Sequence, residues 1–117
     1  MLQESKTYDL DKRTLEFAQS VRSFVSKIPK NTLSVDDIRQ LVRSSGSVGA
    51  NYIEASESLG KKDFTMRLRI CRKEAKETIY WLTLINATEN LAGERNALIK
   101  ESNELTAIFG SIISKLG

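Results

Sequence analysis

The stretch Arg43–Glu57, RSSGSVGANYIEASE, constrains the fold of this chain more than any other. It lies inside a long segment with helical periodicity, yet it is rich in serine and glycine, which helix propensity disfavours. A helix accepts such a composition where small side chains let another backbone come close. At 3.6-residue spacing, Ile38, Leu41, Val42, Ser45, Gly49, Tyr52, Ile53 and Ser56 share one face, apolar at both ends and small in the middle. This predicts the central helix of a bundle, with the other helices packed round it.

The flanking sequence supplies those helices. With one proline, Pro29, and six glycines in 117 residues, the chain has few places to turn and is of a size for one domain. Residues 1–8 read as a frayed lead-in, and Asp9 or Asp11 can cap a first helix. Leu10, Phe17, Ala18, Val21, Phe24, Val25 and Ile28 then recur at three- and four-residue steps until Pro29 ends the pattern. Ser34 is the expected cap of the second helix, with Asp36 and Asp37 suiting its positive N-terminus and Gly60 its stop. The third helix is expected from Lys62 to about Asn90, with a turn at Ala92-Gly93. The fourth, from Glu94 to Leu116, carries Leu98, Leu105, Ile108, Phe109, Ile112, Ile113 and Leu116 on a broad apolar side. Without a strand candidate or a linker, the pattern predicts an all-α, antiparallel up-and-down four-helix bundle.

Winding the third helix at 100° per residue separates three faces. Phe64, Leu68, Cys71, Ala75, Leu82 and Ile85 form a core face. Met66, Ile70, Trp81 and Leu84 fall on a second side, with Glu77 and Thr88 among them. That side is either a widened core stripe or a subunit interface. A Trp and three aliphatic residues exceed what one helix owes a four-helix core, which favours a homo-oligomer. On this reading Glu77 pairs with an Arg of a neighbouring subunit. The third face is basic: Lys62, Arg69, Lys73, Lys76 and Tyr80, with Arg72 at its border. From Lys61 to Glu77 there are seven Lys or Arg against three acids, a local +4 that exceeds the +3 of the whole chain. The face is either solvated with local ion pairs, such as Lys73 with Glu77, or a phosphate-binding surface whose contacts add up when an oligomer repeats it. Arg39 and Arg43, on the outward side of the second helix, can extend it.

Composition removes many chemistries. Histidine is absent, so a Ser-His-Asp or Cys-His nucleophile pair and a His-ligated zinc or di-iron site are impossible. Cys71 is a lone cysteine on the core face, a buried thiol rather than a nucleophile. Glu54, Glu57, Glu74 and Glu77 could offer only a hard-cation site, and Gly46-Ser47-Val48-Gly49 lacks the Lys-Ser/Thr ending of a phosphate loop. No enzyme, metal or cofactor is expected. With one thiol, no signal core and no membrane-length apolar run, a cytoplasmic location away from membranes is expected.

Two blocks together resemble a known family. RSSGSVGANYIEASES is followed by KKDFTMRLRICRKEAKETIYWL. This resembles the small bacterial four-helix-bundle proteins first noticed inside intervening sequences of large-subunit ribosomal RNA genes. Their R-S-x-x-S-x-x-A-N-x-x-E-A block falls on Arg43, Ser44, Ser47, Ala50, Asn51, Glu54 and Ala55. Their following Phe and L-x-I-A-x-x-x-x-x-E block fall on Phe64, Leu68, Ile70, Cys71 in the Ala place, and Glu77. Lys73-Glu74 departs from the Gly-Ser often found there. The chain is also similar to the accessory variability determinant proteins of diversity-generating retroelements. The first resemblance implies a four-helix bundle that assembles as a ring-like homopentamer, and the second a basic pentameric bundle that binds nucleic acid and partners a reverse transcriptase. The combined expectation is a non-enzymatic oligomer contacting structured RNA or RNA–DNA, with an oligomeric protein adaptor as the alternative.

Overall fold

A computed structural model describes residues 9–85 and 87–117. Four α-helices carry the apolar stripes: α1 (Leu10–Ser26), α2 (Thr32–Ser56), α3 (Lys61–Leu84) and α4 (Ala92–Leu116), with a 3₁₀ turn at Glu89–Leu91 before the last. Cross-helix contacts fix their directions. Arg13 meets Glu101 and Lys27 meets Glu94, so α1 and α4 run antiparallel. Arg43 meets Glu77 and Arg67 meets Asn51, which does the same for α2 and α3. The result is an elongated up-and-down bundle measuring 45 × 30 × 19 Å.

The core is built from the stripes of α1 and α3 in particular. Leu10, Phe17, Val21, Phe24, Val25 and Ile28 are buried on or just after α1, joined by Thr14. Leu68, Cys71, Ala75, Leu82 and Ile85 are buried on or just after α3, and Leu98, Leu105 and Phe109 on α4. Phe64 and the later apolar residues of α4, including Ile112 and Ile113, are half-buried against this cluster. The face of α2 differs from expectation. Ile38, Leu41 and Ser45 are buried, but Ile53 is 59% exposed and Ser56 is also exposed. Ser44, Val48 and Ala55 take the core positions instead. Nor is α2 wrapped by the other three helices: it packs chiefly against α1 and α3, and α3 packs against α2 and α4.

Several helix ends also move. Asn31, not Ser34, caps α2: Asn31 Oδ1 accepts from the Ser34 N–H and Ser34 Oγ accepts from the Asn31 N–H, both at 3.0 Å. Helix α2 ends before Gly60, where the Ser56 and Ser58 hydroxyls donate to the carbonyls of Tyr52 and Glu54. Gly60 has extended backbone and precedes α3 as its N-cap. Helix α3 stops at Leu84 rather than near Asn90, in a stretch where β-branched Thr83, Ile85 and Thr88 are weak helix formers. Arg95 reaches back to donate to the Ile85 carbonyl. Ala92 and Gly93 belong to the first turn of α4 and do not form the connection. The expected lead-in over residues 1–8 and the helical assignment of Asn86 lie outside the described residues.

Small residues do bring backbones together, at one place. A Cβ on Gly49 would stand 2.9 Å from Thr14 Oγ1 and 3.2 Å from Thr14 Cβ. Thr14 cannot yield easily, because it is buried and its hydroxyl donates to the Leu10 carbonyl at 2.7 Å. At Gly46 the nearest group is the flexible end of Arg22, 3.7 Å away. Gly49→Ala is therefore expected to destabilise by about 1–3 kcal/mol through overpacking. Gly46→Ala, with room to spare, is expected to stabilise by about 0.5–1 kcal/mol through helix propensity. Urea unfolding of both variants checks the opposite signs.

Candidate nucleic-acid interface

Helix α3 has packed neighbours on two sides, which leaves one long face to solvent. Lys62, Arg69, Arg72, Lys73 and Lys76 are all exposed there. Arg69, Arg72, Lys73 and Lys76, at steps of three, one and three, line a concavity of about 310 Å³. A second hollow, of about 550 Å³, is lined by Lys61, Lys62, Thr65, Met66 and Arg69. Arg69 belongs to both, so a continuous basic track runs from Lys61 to Lys76, roughly 22 Å of helix at 1.5 Å per residue. Arg72 leans over α4, where a Cβ on Gly110 would lie 3.5 Å from Arg72 Nε. None of these cations forms an ion pair with another described residue. The expected local pair of Lys73 with Glu77 is not formed.

The two outlying arginines behave differently. Arg39 pairs with Asp36 at 2.7 Å, in the open. Arg43 reaches from α2 to α3, where it donates to Glu74 at 3.3 Å and to Glu77. Glu77 also accepts from Trp81 Nε1 at 3.1 Å. The partner of Glu77 is thus Arg43 of the same chain, where the sequence suggested an Arg of a neighbouring subunit. The reason is the antiparallel α2–α3 seam, which brings residues 34 positions apart to one level. Arg67 turns away from the basic track too, donating to Asn51 Oδ1 at 3.4 Å. The structure therefore brings Lys62, Arg69, Arg72, Lys73 and Lys76 onto one track, and sets Arg39 and Arg43 apart beside carboxylates.

Electrostatics follow this division. The Trp81 hydrogen bond, aided by Arg43, holds the Glu77 carboxyl below its usual range. Burial alone would lower the Arg43 guanidinium, but the Glu77 hydrogen bond and the two neighbouring carboxylates outweigh it and raise it. Burial pushes the Cys71 thiol up to about 12, so it is a packing residue with no thiolate at neutral pH. Glu74 and Glu77 are engaged with Arg43, and among the described residues no cluster of three or more His, Cys, Asp or Glu could hold a metal ion. No described helix is long and apolar enough to cross a membrane.

Two further features were hidden from sequence reasoning. Across the α1–α4 seam, Arg13 makes a two-pronged contact with Glu101, at 2.7 and 2.9 Å, and a third bond to Glu104 at 2.8 Å. Lys27 meets Glu94 at 3.0 Å. The Arg13 guanidinium is raised, chiefly by its hydrogen bond to Glu101. These pairs span 67 to 91 residues and leave no local signal. Their effect is to neutralise Arg13 and Lys27 with acids of α4. The second flank of α3 is divided: Ile70 and Trp81 are half-buried, while Met66 and Leu84 are 44% and 49% exposed. Tyr80, 59% exposed, stands edge-on to Trp81 with ring centroids 5.0 Å apart.

Residues 6–111 match the family model of the 23S rRNA-intervening sequence protein. The structure is similar to the crystal structure of a protein of unknown function from the S23 ribosomal protein family of Bacteroides thetaiotaomicron. The two share 30% identity and a TM-score of 0.76, over 93% of this chain and 98% of that one. No curated protein matches the chain.

The Glu77 carboxyl gives a pH test. Because its folded value is depressed from the ordinary 4.5, it contributes stability above that value, and the contribution is lost as pH falls through the folded value. Glu77→Gln is expected to lower stability at pH 7 and to match the wild type once pH has fallen below both values. Urea unfolding of the two proteins across that range, read by the single tryptophan, checks it. A stability difference that stays constant across the range would remove Glu77 as its source.

Proposed function

The chain belongs to the 23S rRNA-intervening sequence protein family, and from that premise we propose that it is a non-enzymatic nucleic-acid-binding bundle that works as a homo-oligomer. It contacts structured RNA, or an RNA–DNA intermediate, through phosphates. The observation that carries this reading is the basic track of α3, where Lys62, Arg69, Arg72, Lys73 and Lys76 form no ion pair with a described carboxylate, Lys73 acting on Glu77 only through space. Cations outside ion pairs are available to displace counterions from a phosphate backbone, and each copy in an oligomer adds to the total. Contacts of this type position the partner and read little sequence. Arg39 and Arg43 contribute less, since each is already engaged with acids. In this reading the exposed Met66 and Leu84, with Ile70, Glu77 and Trp81 between them, form the flank on which subunits meet, in the pentameric ring that the family resemblance implies.

A second reading is an oligomeric adaptor that binds a protein, for example a reverse transcriptase, without touching nucleic acid. The apolar residues Met66, Tyr80 and Leu84 beside the cations favour it, because such a mixed surface also suits a protein partner.

Reversing charge at Arg69, Arg72, Lys73 and Lys76 together is expected to abolish hairpin binding, by about a hundredfold or more, while circular dichroism still reports a folded helical bundle. Unchanged affinity would favour the adaptor. Trp81→Ala with Leu84→Ala is expected to shift the particle mass toward monomer in light scattering coupled to gel filtration. An unchanged mass would place the subunit contact elsewhere.

A further inference from the structure

The concavity on α3 has a shape and charge that point beyond general phosphate contact. We infer that it takes a terminal polyphosphate, the group carried by a 5′-triphosphorylated RNA end or by a free nucleoside triphosphate. This rests on the reading of the basic track as a phosphate-binding surface.

Three observations carry it. First, four cations line one hollow: Arg69, Arg72, Lys73 and Lys76 fall within two turns, roughly 10 Å of helix. No carboxylate lines the hollow, so their charge is concentrated at one point of the track. Second, the hollow has about 310 Å³, at the lower end of the range for small-ligand sites, where a compact anion fits. Third, the α4 side is open beside Arg72, where Gly110 brings no side chain against it.

The chemistry of the two kinds of phosphate then decides between them. A phosphodiester inside a strand has two unesterified oxygens, and a whole sugar separates it from the next. A terminal polyphosphate packs its phosphates through shared bridging oxygens, and its last phosphate has three free oxygens. Two guanidinium forks and two ammonium groups converging on one hollow match that dense charge. A backbone running past would engage the whole track from Lys61 to Lys76 and gain little from the concavity.

The test is fluorescence anisotropy with the intact protein and two labelled RNA hairpins of one sequence, one 5′-triphosphorylated and one 5′-hydroxyl. Inorganic tripolyphosphate and ATP serve as competitors at constant ionic strength. The triphosphate hairpin is expected to bind about tenfold tighter, and tripolyphosphate to displace it. Arg72→Gln is expected to reduce that preference to about twofold or less, whereas Lys62→Gln, outside the hollow, weakens both hairpins and keeps their ratio. Displacement by ATP as strong as by tripolyphosphate would support the site and assign it to free nucleotide as well as RNA ends. Displacement by tripolyphosphate alone would support it and assign it to RNA ends. Equal affinity for the two hairpins, with no displacement by tripolyphosphate, would overturn the inference and leave the nucleic-acid reading standing. Failure of both hairpins to bind would overturn that reading as well.

Discussion

Two hydroxyl contacts and the apolar stripe between them set the rotation of α3, and the surface of this protein depends on them. On one side the Thr78 hydroxyl lies 2.9 Å from Ser44 Oγ of α2 and 2.8 Å from the Glu74 carbonyl. On the other, Ser102 of α4 donates to the Ala75 carbonyl at 2.7 Å. All three hydroxyl-bearing residues are fully buried. Rotating α3 by one residue, about 100°, would break both inter-helix contacts and leave the buried Ser102 hydroxyl without its acceptor, while Thr78 and Ser44 kept only their local bonds to the carbonyls of Glu74 and Leu41. With the rotation fixed, Leu68, Cys71, Ala75 and Leu82 face inward, and Arg69, Lys73 and Lys76 must face out. The core and the basic track are two consequences of one constraint.

Charge pairing then gives the outward faces different characters. At the α1–α4 seam, Arg13 and Lys27 are matched by Glu101, Glu104 and Glu94. Arg43 is held between Glu74 and Glu77 in the α2–α3 seam. Lys62, Arg69, Arg72, Lys73 and Lys76 of α3 form no ion pair with a described residue and share one face, whereas other such cations, Lys12, Lys30, Lys100 and Lys115, are spread over α1, the α1–α2 connection and α4. A modest net charge of +3 can therefore produce a strongly basic face. The more exposed of these pairs, such as Lys27 with Glu94, contribute little to stability.

Much of this could be read from the chain, for identifiable reasons. The core faces of α1 and α3 rest on large apolar residues at regular spacing, and Phe17, Val21, Phe24, Leu68 and Leu82 are where periodicity puts them. The observed face of α2 is rotated from the expected one, because inward Ser44 and Ala55 carry little apolar signal, while Ile53, which carries a strong one, is exposed. Helix ends were misread where two punctuation residues competed: Asn31 with Ser34, and Thr88 with Gly93. The five cations of the track were visible as a stripe on one helix. The pairing of Arg43 with Glu77 was not, since nothing local connects residues on two helices. In hindsight the two sequence blocks that carry the family resemblance meet across this seam. Arg43 bonds Glu77, and Ala55 and Leu68 are both buried. Those motif residues assemble the α2–α3 pair, and the candidate binding residues lie mostly outside them.

The central claim, that the face left unmatched on α3 binds phosphate in many copies at once, is tested most directly by a salt series. A labelled RNA hairpin and a DNA duplex are titrated with the wild-type protein, and log affinity is plotted against log salt. The account predicts binding at low salt that falls steeply and linearly, with a slope showing that several phosphates are neutralised together. Absence of binding to either probe at low salt would contradict it and mark the basic track as a solvated surface.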